Sequence, residues 1–287
     1  MVDMKLMILF IPVVLLMNII AYFVLIPRKY RIEYKRMIAE NKEAYSFTKE
    51  IFPYLLLVTF IYLLVKSQGM ILSVFEITPY HSLAQYILQI EGSTVSMFQS
   101  FTNPLLTYIS SFIYLFGFAF LLIFTFVALI FTRKVRALQE YAIAVVLVYI
   151  VSFPFHILTP VKVTGYTLPN VIPLLYELSP VIYNGIRTVD PFFDNCFPSL
   201  HAALSFLAMF IIIFKTDIRR FKVVAVFMTV AIQFTIFYLG IHWITDLFGG
   251  ILLAVISYYF ATRYHDRIVH RLRPSIAGSD GYQDTSR

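Results

Sequence analysis

The stretch Cys196–Phe214, CFPSLHAALSFLAMFIIIF, opens on a proline, a serine and a histidine and then turns almost wholly apolar. A second stretch, GIHWITDLFGG at Gly240–Gly250, also sets a histidine at the mouth of an apolar run, with an aspartate four residues after it. Apolar runs of this kind read as membrane helices, because only a helix pairs all its own backbone groups inside lipid. Polar groups at such depths are costly and usually functional. These two mouths are therefore the candidates for chemistry.

The rest of the chain agrees with a membrane reading. Of its 287 residues 60% are hydrophobic and only 14% charged, a balance foreign to a soluble domain. Apolar runs fall at roughly 5–27, 51–66, 105–131, 138–158, 199–214, 222–240 and 242–262. The fold class is all-α integral membrane, with about seven transmembrane helices. The second and fifth runs are short, and Lys66 and Lys215 are expected to snorkel and extend them. The first run exceeds a signal-peptide core and lacks a small-residue cleavage site, so it reads as a retained helix. Cys196 is the only cysteine, which excludes an intrachain disulfide and a cysteine-rich metal site.

The net charge of +7 does not point to nucleic acid, because the charges are sorted by loop. Of the 23 basic residues, 19 lie in the loops after the first, third and fifth runs and in the tail. Four lie on the other side: Lys5, Lys66, Lys162 and Arg187. The positive-inside rule then places the N-terminus outside and the tail in the cytoplasm. Loops 67–104, 159–198 and 240–242 face outward, and both polar mouths with them. In the first of these loops Ile77, Leu83, Tyr86, Ile87 and Ile90 repeat at helical spacing. They predict an amphipathic helix in the interface, either a lid packed on the bundle or a substrate gate. Gly249-Gly250 reads as a close-packing site. The tail after Pro274 is polar and reads as disordered.

His242 and Asp246 are four residues apart and share a helix face. A carboxylate so placed can take the Nδ1 hydrogen of the imidazole, leaving Nε2 as a nucleophile or base. Pro198 suits a first helical turn. The free amides near Ser199, Leu200 and His201 make an anion site, to which Ser199 adds a hydroxyl donor and His201 an acid. No serine or cysteine shows a paired base of its own. His81, His156, His265 and His270 read as satisfied polar residues, and Cys196 as a small buried filler.

FPSLHAALS (197–205) and YLGIHWITDLFGG (238–250) resemble the second and third signature motifs of the type 2 phosphatidic acid phosphatase superfamily. Their look is closest to the branch of the inositol phosphorylceramide synthases. The resemblance is strongest over 105–262, which it implies is a six-helix catalytic core. Residues 1–104 would supply N-terminal helices, a basic cytoplasmic loop and the interfacial segment; 263–287 would be a basic, then disordered, cytoplasmic tail. It further implies that His242 attacks phosphorus, Asp246 orients it, His201 protonates the leaving alcohol and Ser199 binds phosphate, with no metal or other cofactor. The partners implied are a membrane lipid phosphate as donor and an alcohol or water as acceptor. Neutral His242 and protonated His201 would have to coexist, giving a bell-shaped pH dependence.

Two phosphate-binding arginines of the phosphatase branch are missing here. Pro169 stands where the first motif has arginine, and Thr235-Ile236 where the third has serine-arginine. Lys162 and Arg187 are the only cations in the loop that leads to FPSLH, so they are the candidate replacements. Each could equally contact lipid headgroups. Tyr166, Asn170 and Asn195 could add neutral hydrogen bonds or simply build the loop. A membrane acyltransferase would want four residues between histidine and aspartate rather than three. A transporter would want polar residues or broken helices at mid-membrane. Neither rival accounts for both mouths.

Overall fold

The computed structural model describes residues 4–67, 83–188 and 190–272. In chain order the helices are α1 (Met4–Leu25), α2 (Arg28–Ala39), α3 (Asn41–Lys66), α4 (Leu83–Glu91), α5 (Pro104–Phe112), α6 (Phe118–Phe131) and α7 (Val135–Leu158). Then follow two short outer helices, α8 (Leu174–Glu177) and α9 (Pro180–Arg187). The chain closes with α10 (Leu200–Lys215), α11 (Arg219–Tyr238), α12 (Ile244–Arg263) and α13 (His265–Leu272). No strand occurs among the described residues beyond a single bridge between Val161 and Asn195.

Among the described residues six spans are long and apolar enough to cross a membrane: α1, α3, the continuous α5–α6 stretch, α7, α11 and α12. The seventh apolar helix, α10, has 16 residues and rises about 24 Å at 1.5 Å per residue. That is short of the roughly 30 Å hydrocarbon core, yet α10 is the centre of the bundle. It packs on α6, α7, α11 and α12, and Leu204, Leu207, Ile211 and Ile212 are almost fully buried. A helix apolar on every side has this interior position available to it. The chain is a multi-pass, all-α membrane protein.

Small residues set how closely the two polar-mouthed helices approach. A Cβ on Gly250 of α12 would sit 2.6 Å from the Ser199 carbonyl oxygen and 2.7 Å from the Ala202 Cβ. Glycine there, with Ala202 and Ala203 opposite, lets α12 touch the first turn of α10. The backbone amide of Ser199 donates to the Asp246 carbonyl at 3.1 Å and joins the two mouths directly.

Several boundaries depart from the sequence reading. The basic loop after α1 is helical, as α2, and α3 starts at Asn41 rather than near residue 51. The apolar run marks where a helix enters lipid, whereas lysine, glutamate and alanine continue it in water at little cost. The third run contains a π-turn at Ile113–Gly117 between α5 and α6. A helix, α4, lies within the segment expected to be amphipathic; of its stripe only Ile87 is buried, and Tyr86 and Ile90 point outward. Ile77 and His81 lie outside the described residues. Pro198 precedes the first helical turn, after a cis Phe197–Pro198 peptide, and Ser199 is the N-cap. Lys215 turns inward, 2.8 Å from Glu140 Oε2, because a carboxylate buried at that depth needs a cation. The start of the tail is helical too, as α13.

Candidate active site

The loop between α11 and α12 is tied down before it presents His242. The Ile236 carbonyl accepts from the amides of Ile241 and His242, both at 3.1 Å. Gly240 takes φ +72°, and a Cβ there would lie 2.5 Å from the Ile172 carbonyl, so only glycine fits. The amide of Gly165 donates to the Gly240 carbonyl at 2.8 Å, and the buried Trp243 indole donates to the Lys162 carbonyl at 2.9 Å. The 161–172 loop thus holds the α11–α12 turn in place.

On that frame His242 Nδ1 lies 3.1 Å from Asp246 Oδ2, which also accepts the Trp243 amide at 2.8 Å. The carboxylate defines the tautomer: Nδ1 carries the hydrogen and Nε2 keeps its lone pair. Burial pushes the His242 imidazole down to about 3, so it is neutral at pH 7. Ser199 Oγ lies 3.3 Å from His242 Nε2 and also accepts the Ala202 amide at 3.2 Å as cap of α10. The expectation that no serine has a paired base is corrected here: residues 43 positions apart meet only because α10 and α12 are in contact. The imidazole of His201, on the first turn of α10, stands 5.7 Å from that of His242, centroid to centroid. Among the described residues nothing accepts from the amides of Leu200 and His201.

This arrangement of two histidines, a serine and an aspartate around free helix amides could bind an anion and pass it to nitrogen. A model of the PAP2 superfamily matches residues 84–260. The chain belongs to the PAP2 superfamily. No curated protein and no solved structure matched it. PAP2 membership indicates phosphatase or phosphotransferase activity, and the matched stretch takes in Ser199, His201, His242 and Asp246 together with α4.

The remaining PAP2 site candidates are placed differently. Lys162 is exposed and offers its backbone, not its ammonium, to Trp243. The Arg187 guanidinium is exposed at the end of α9 and lies over the Tyr183 ring at 5.9 Å. Tyr166 is half-exposed and stacks on Tyr176 at 5.5 Å, beside Phe193. The Asn195 backbone bridges Val161 and donates to Asp190 Oδ2 at 3.3 Å. No hydrogen bond from the side chains of Lys162, Arg187 or Tyr166 reaches the histidines among the described residues. Nearby, Asp194 is pushed up to about 6 by burial and by the charge of Asp190, with Lys162 opposing.

Tyr114, Phe118 and Glu91, which contact the candidate site, escaped the sequence reading, whereas His156 is the satisfied polar residue expected. Tyr114 stacks on His201 at 4.3 Å and Phe118 tilts against it at 4.4 Å. Tyr114 lies within the π-turn and Phe118 just after it, four residues on, and both rings meet the one imidazole. His156 Nε2 donates to the Pro198 carbonyl at 3.3 Å and steadies the turn before Ser199. Glu91, at the end of α4, accepts from the first turn of α12. None has a motif: an aromatic residue in an aromatic-rich span and a glutamate in a loop look ordinary in sequence. His265, by contrast, is satisfied by Gln139 and Asp266, each at 2.9 Å.

Cys196, His242 and Asp246 bring metal-capable atoms within 4.8 Å of one another. Cys196 Sγ, His242 Nδ1 and Asp246 Oδ2 are engaged otherwise, while Asp246 Oδ1 has no hydrogen-bond partner among the described residues. Burial holds the Cys196 thiol well above its ordinary range, and it donates to the Ile241 carbonyl at 3.4 Å. His242 Nδ1 belongs to Asp246. A metal at this place would have to break the pairing that leaves Nε2 free.

Proposed function

We propose that this chain is a membrane lipid phosphotransferase, working through a phosphohistidine on His242 and moving a phospho-alcohol headgroup from one lipid to an acceptor alcohol. The observation that carries this reading is the unprotonated Nε2 of His242, held by Asp246 and facing the capped mouth of α10. The phosphate would lie on the free amides of Leu200 and His201 and on the Ser199 hydroxyl. Nε2 gives its lone pair to phosphorus and the bond from phosphorus to the leaving oxygen breaks. His201 donates its proton to that oxygen as it departs. The acceptor hydroxyl then attacks phosphorus and gives its proton to His201, and the phosphorus–nitrogen bond breaks. No step calls for a metal. The catalytic core would be 105–262, with the N-terminal helices and tail as accessories.

The choice of donor comes from charge. A phosphomonoester carries close to two negative charges at neutral pH, and a phosphodiester carries one. The missing arginines favour the diester. Ile236 fills the second arginine place as a fully buried apolar side chain, and Pro169 in the first is exposed. This supports the inositolphosphotransferase branch over simple lipid phosphate hydrolysis. Comparing a phosphatidylinositol-like diester with a phosphatidic-acid-like monoester in one detergent should show faster turnover of the diester, with headgroup transfer. A strong preference for the monoester, releasing inorganic phosphate, would make the protein a lipid phosphatase with the same histidine chemistry.

The sorting of basic residues supports an extracytoplasmic site in the cell membrane, with the N-terminus out and the C-terminus in. In intact cells, on a Cys196→Ala background, Asn184→Cys in α9 should react with an impermeant thiol reagent. Lys42→Cys in α3 should react only after lysis. The reverse pattern would put the chemistry in the cytoplasm.

A further inference from the structure

Glu91 is the last residue of α4, and its carboxylate is spent on the catalytic helix. Oε1 accepts the Ile244 amide at 3.1 Å. Oε2 accepts the Thr245 amide at 2.8 Å and the Thr245 hydroxyl at 2.9 Å. These are the residues between His242 and Asp246. The Trp243 amide goes to Asp246 Oδ2 and the Asp246 amide to the Trp243 carbonyl at 3.1 Å. Every amide from 243 to 246 therefore has an acceptor, and two of the four depend on a residue about 150 positions away.

The other helix mouth is left open, since the amides of Leu200 and His201 have no acceptor among the described residues. The positive ends of α10 and α12 both border the histidines, and either would attract a phosphate. Glu91 fills one of them with a carboxylate. An anion is then held only at the α10 mouth, where it lies across from Nε2. The segment that carries Glu91 is built for a lipid surface. Ile87 of α4 is buried, while Tyr86 is 57% and Ile90 77% exposed. Such an outward apolar edge on a short helix suits the membrane interface.

We propose that Glu91 is a positioning residue for the His242–Asp246 pair, and that it couples the interfacial helix α4 to the geometry of phosphoryl transfer. It touches neither phosphorus nor the leaving group. It acts by fixing the turn from which His242 projects and by denying the α12 mouth to phosphate. The role in catalysis rests on the function proposed above; the structural latch does not.

The test uses the full-length protein in detergent micelles, with Glu91→Ala and Glu91→Gln beside wild type. The activity arm takes whichever of the two lipid substrates wild type turns over. Misplacing a reacting group by about 1 Å costs on the order of 100-fold, so Glu91→Ala should lose about that much in kcat, with KM changed only a few-fold. Glu91→Gln keeps one acceptor oxygen and should fall between. Formate or acetate added to Glu91→Ala should restore part of the rate, by occupying the vacated amides. A merely structural glutamate would lose stability, and a small anion would not return the rate. The second arm needs no substrate: hydrogen exchange over 242–247 should be faster in Glu91→Ala than in wild type, at unchanged exchange in α6 and α7. Wild-type kcat in Glu91→Ala overturns the positioning role, as does a loss that neither Gln nor formate moderates. Unchanged exchange over 242–247 overturns the latch itself. A wild type inert on both lipids would refute the proposed function instead, and the exchange arm would still decide the latch.

Discussion

His242→Ala is expected to abolish turnover and to leave no acid-labile phosphoenzyme after incubation with radiolabelled lipid donor. Asp246→Asn is expected to fold and to lose about 10⁴-fold in rate, the size of loss seen when a triad histidine is left in the wrong tautomer. Both expectations come from one geometry. Asp246 Oδ2 is 3.1 Å from Nδ1 and is itself fixed by the Trp243 amide, so the imidazole can neither rotate nor exchange tautomers freely. An amide in place of the carboxylate can offer Nδ1 a hydrogen instead of taking one, and Nε2 then carries the proton and cannot attack. A rival nucleophile stands beside it, because Ser199 Oγ is 3.3 Å from Nε2. Ser199 is fully buried and accepts a helix amide as its cap, which aims a lone pair into α10 and away from an incoming phosphate. The chemical stability of the trapped intermediate separates the two. Phosphohistidine is lost in acid and survives alkali; phosphoserine does the opposite. An acid-stable phosphoenzyme that disappears in Ser199→Ala would transfer the nucleophile from His242 to Ser199.

The second large effect is expected at His201 and depends on the leaving group. A positioned general acid is worth about 10²- to 10⁴-fold, so His201→Ala should lose that much on a lipid ester, whose alkoxide leaves poorly without a proton. On a nitrophenyl ester, whose leaving group departs unprotonated, most of the rate should remain. The alkaline fall of the wild-type pH–rate curve, where an acid gives up its proton, should vanish in the variant. Tyr114 and Phe118 enter this prediction because they brace His201 from the π-turn at 4.3 and 4.4 Å. Equal losses on the two esters would show that His201 binds phosphate without passing a proton.

Much of this was readable without coordinates, and particular residues show why. The apolar runs announce their helices because each must satisfy its own backbone in lipid, a demand that acts on every residue of the run. The His242–Asp246 pair is also local: four residues in a helix subtend about one turn, so spacing alone puts imidazole and carboxylate on one face. The helix starts at Asn41 and Arg28 were not readable, since polar helix formers leave no apolar signature to mark where a helix begins in water. Lys162 and Arg187 are the candidates for the missing arginines because they are the only cations in the loop before FPSLH, and Tyr166 because it could add a neutral hydrogen bond. Loop proximity in sequence does not say which way a side chain turns: Arg187 lies over Tyr183, Tyr166 stacks on Tyr176, and the Lys162 side chain is exposed.

The sequence by itself determined that the chain crosses a membrane, which residues carry titratable chemistry and which of them are helical neighbours. Those properties follow from interactions within one turn, or from transfer of one segment into lipid. The tertiary structure alone decided that Ser199 reaches Nε2 and that His201 is clasped by Tyr114 and Phe118. It also decided that Glu91 closes the mouth of α12 while the mouth of α10 stays open. These contacts join residues from 43 to about 150 positions apart. They exist because Gly250 admits Ser199 and because the α5–α6 stretch packs beside the first turn of α10. Close packing of that kind depends on the shapes of several helices at once, and no single stretch of sequence contains it.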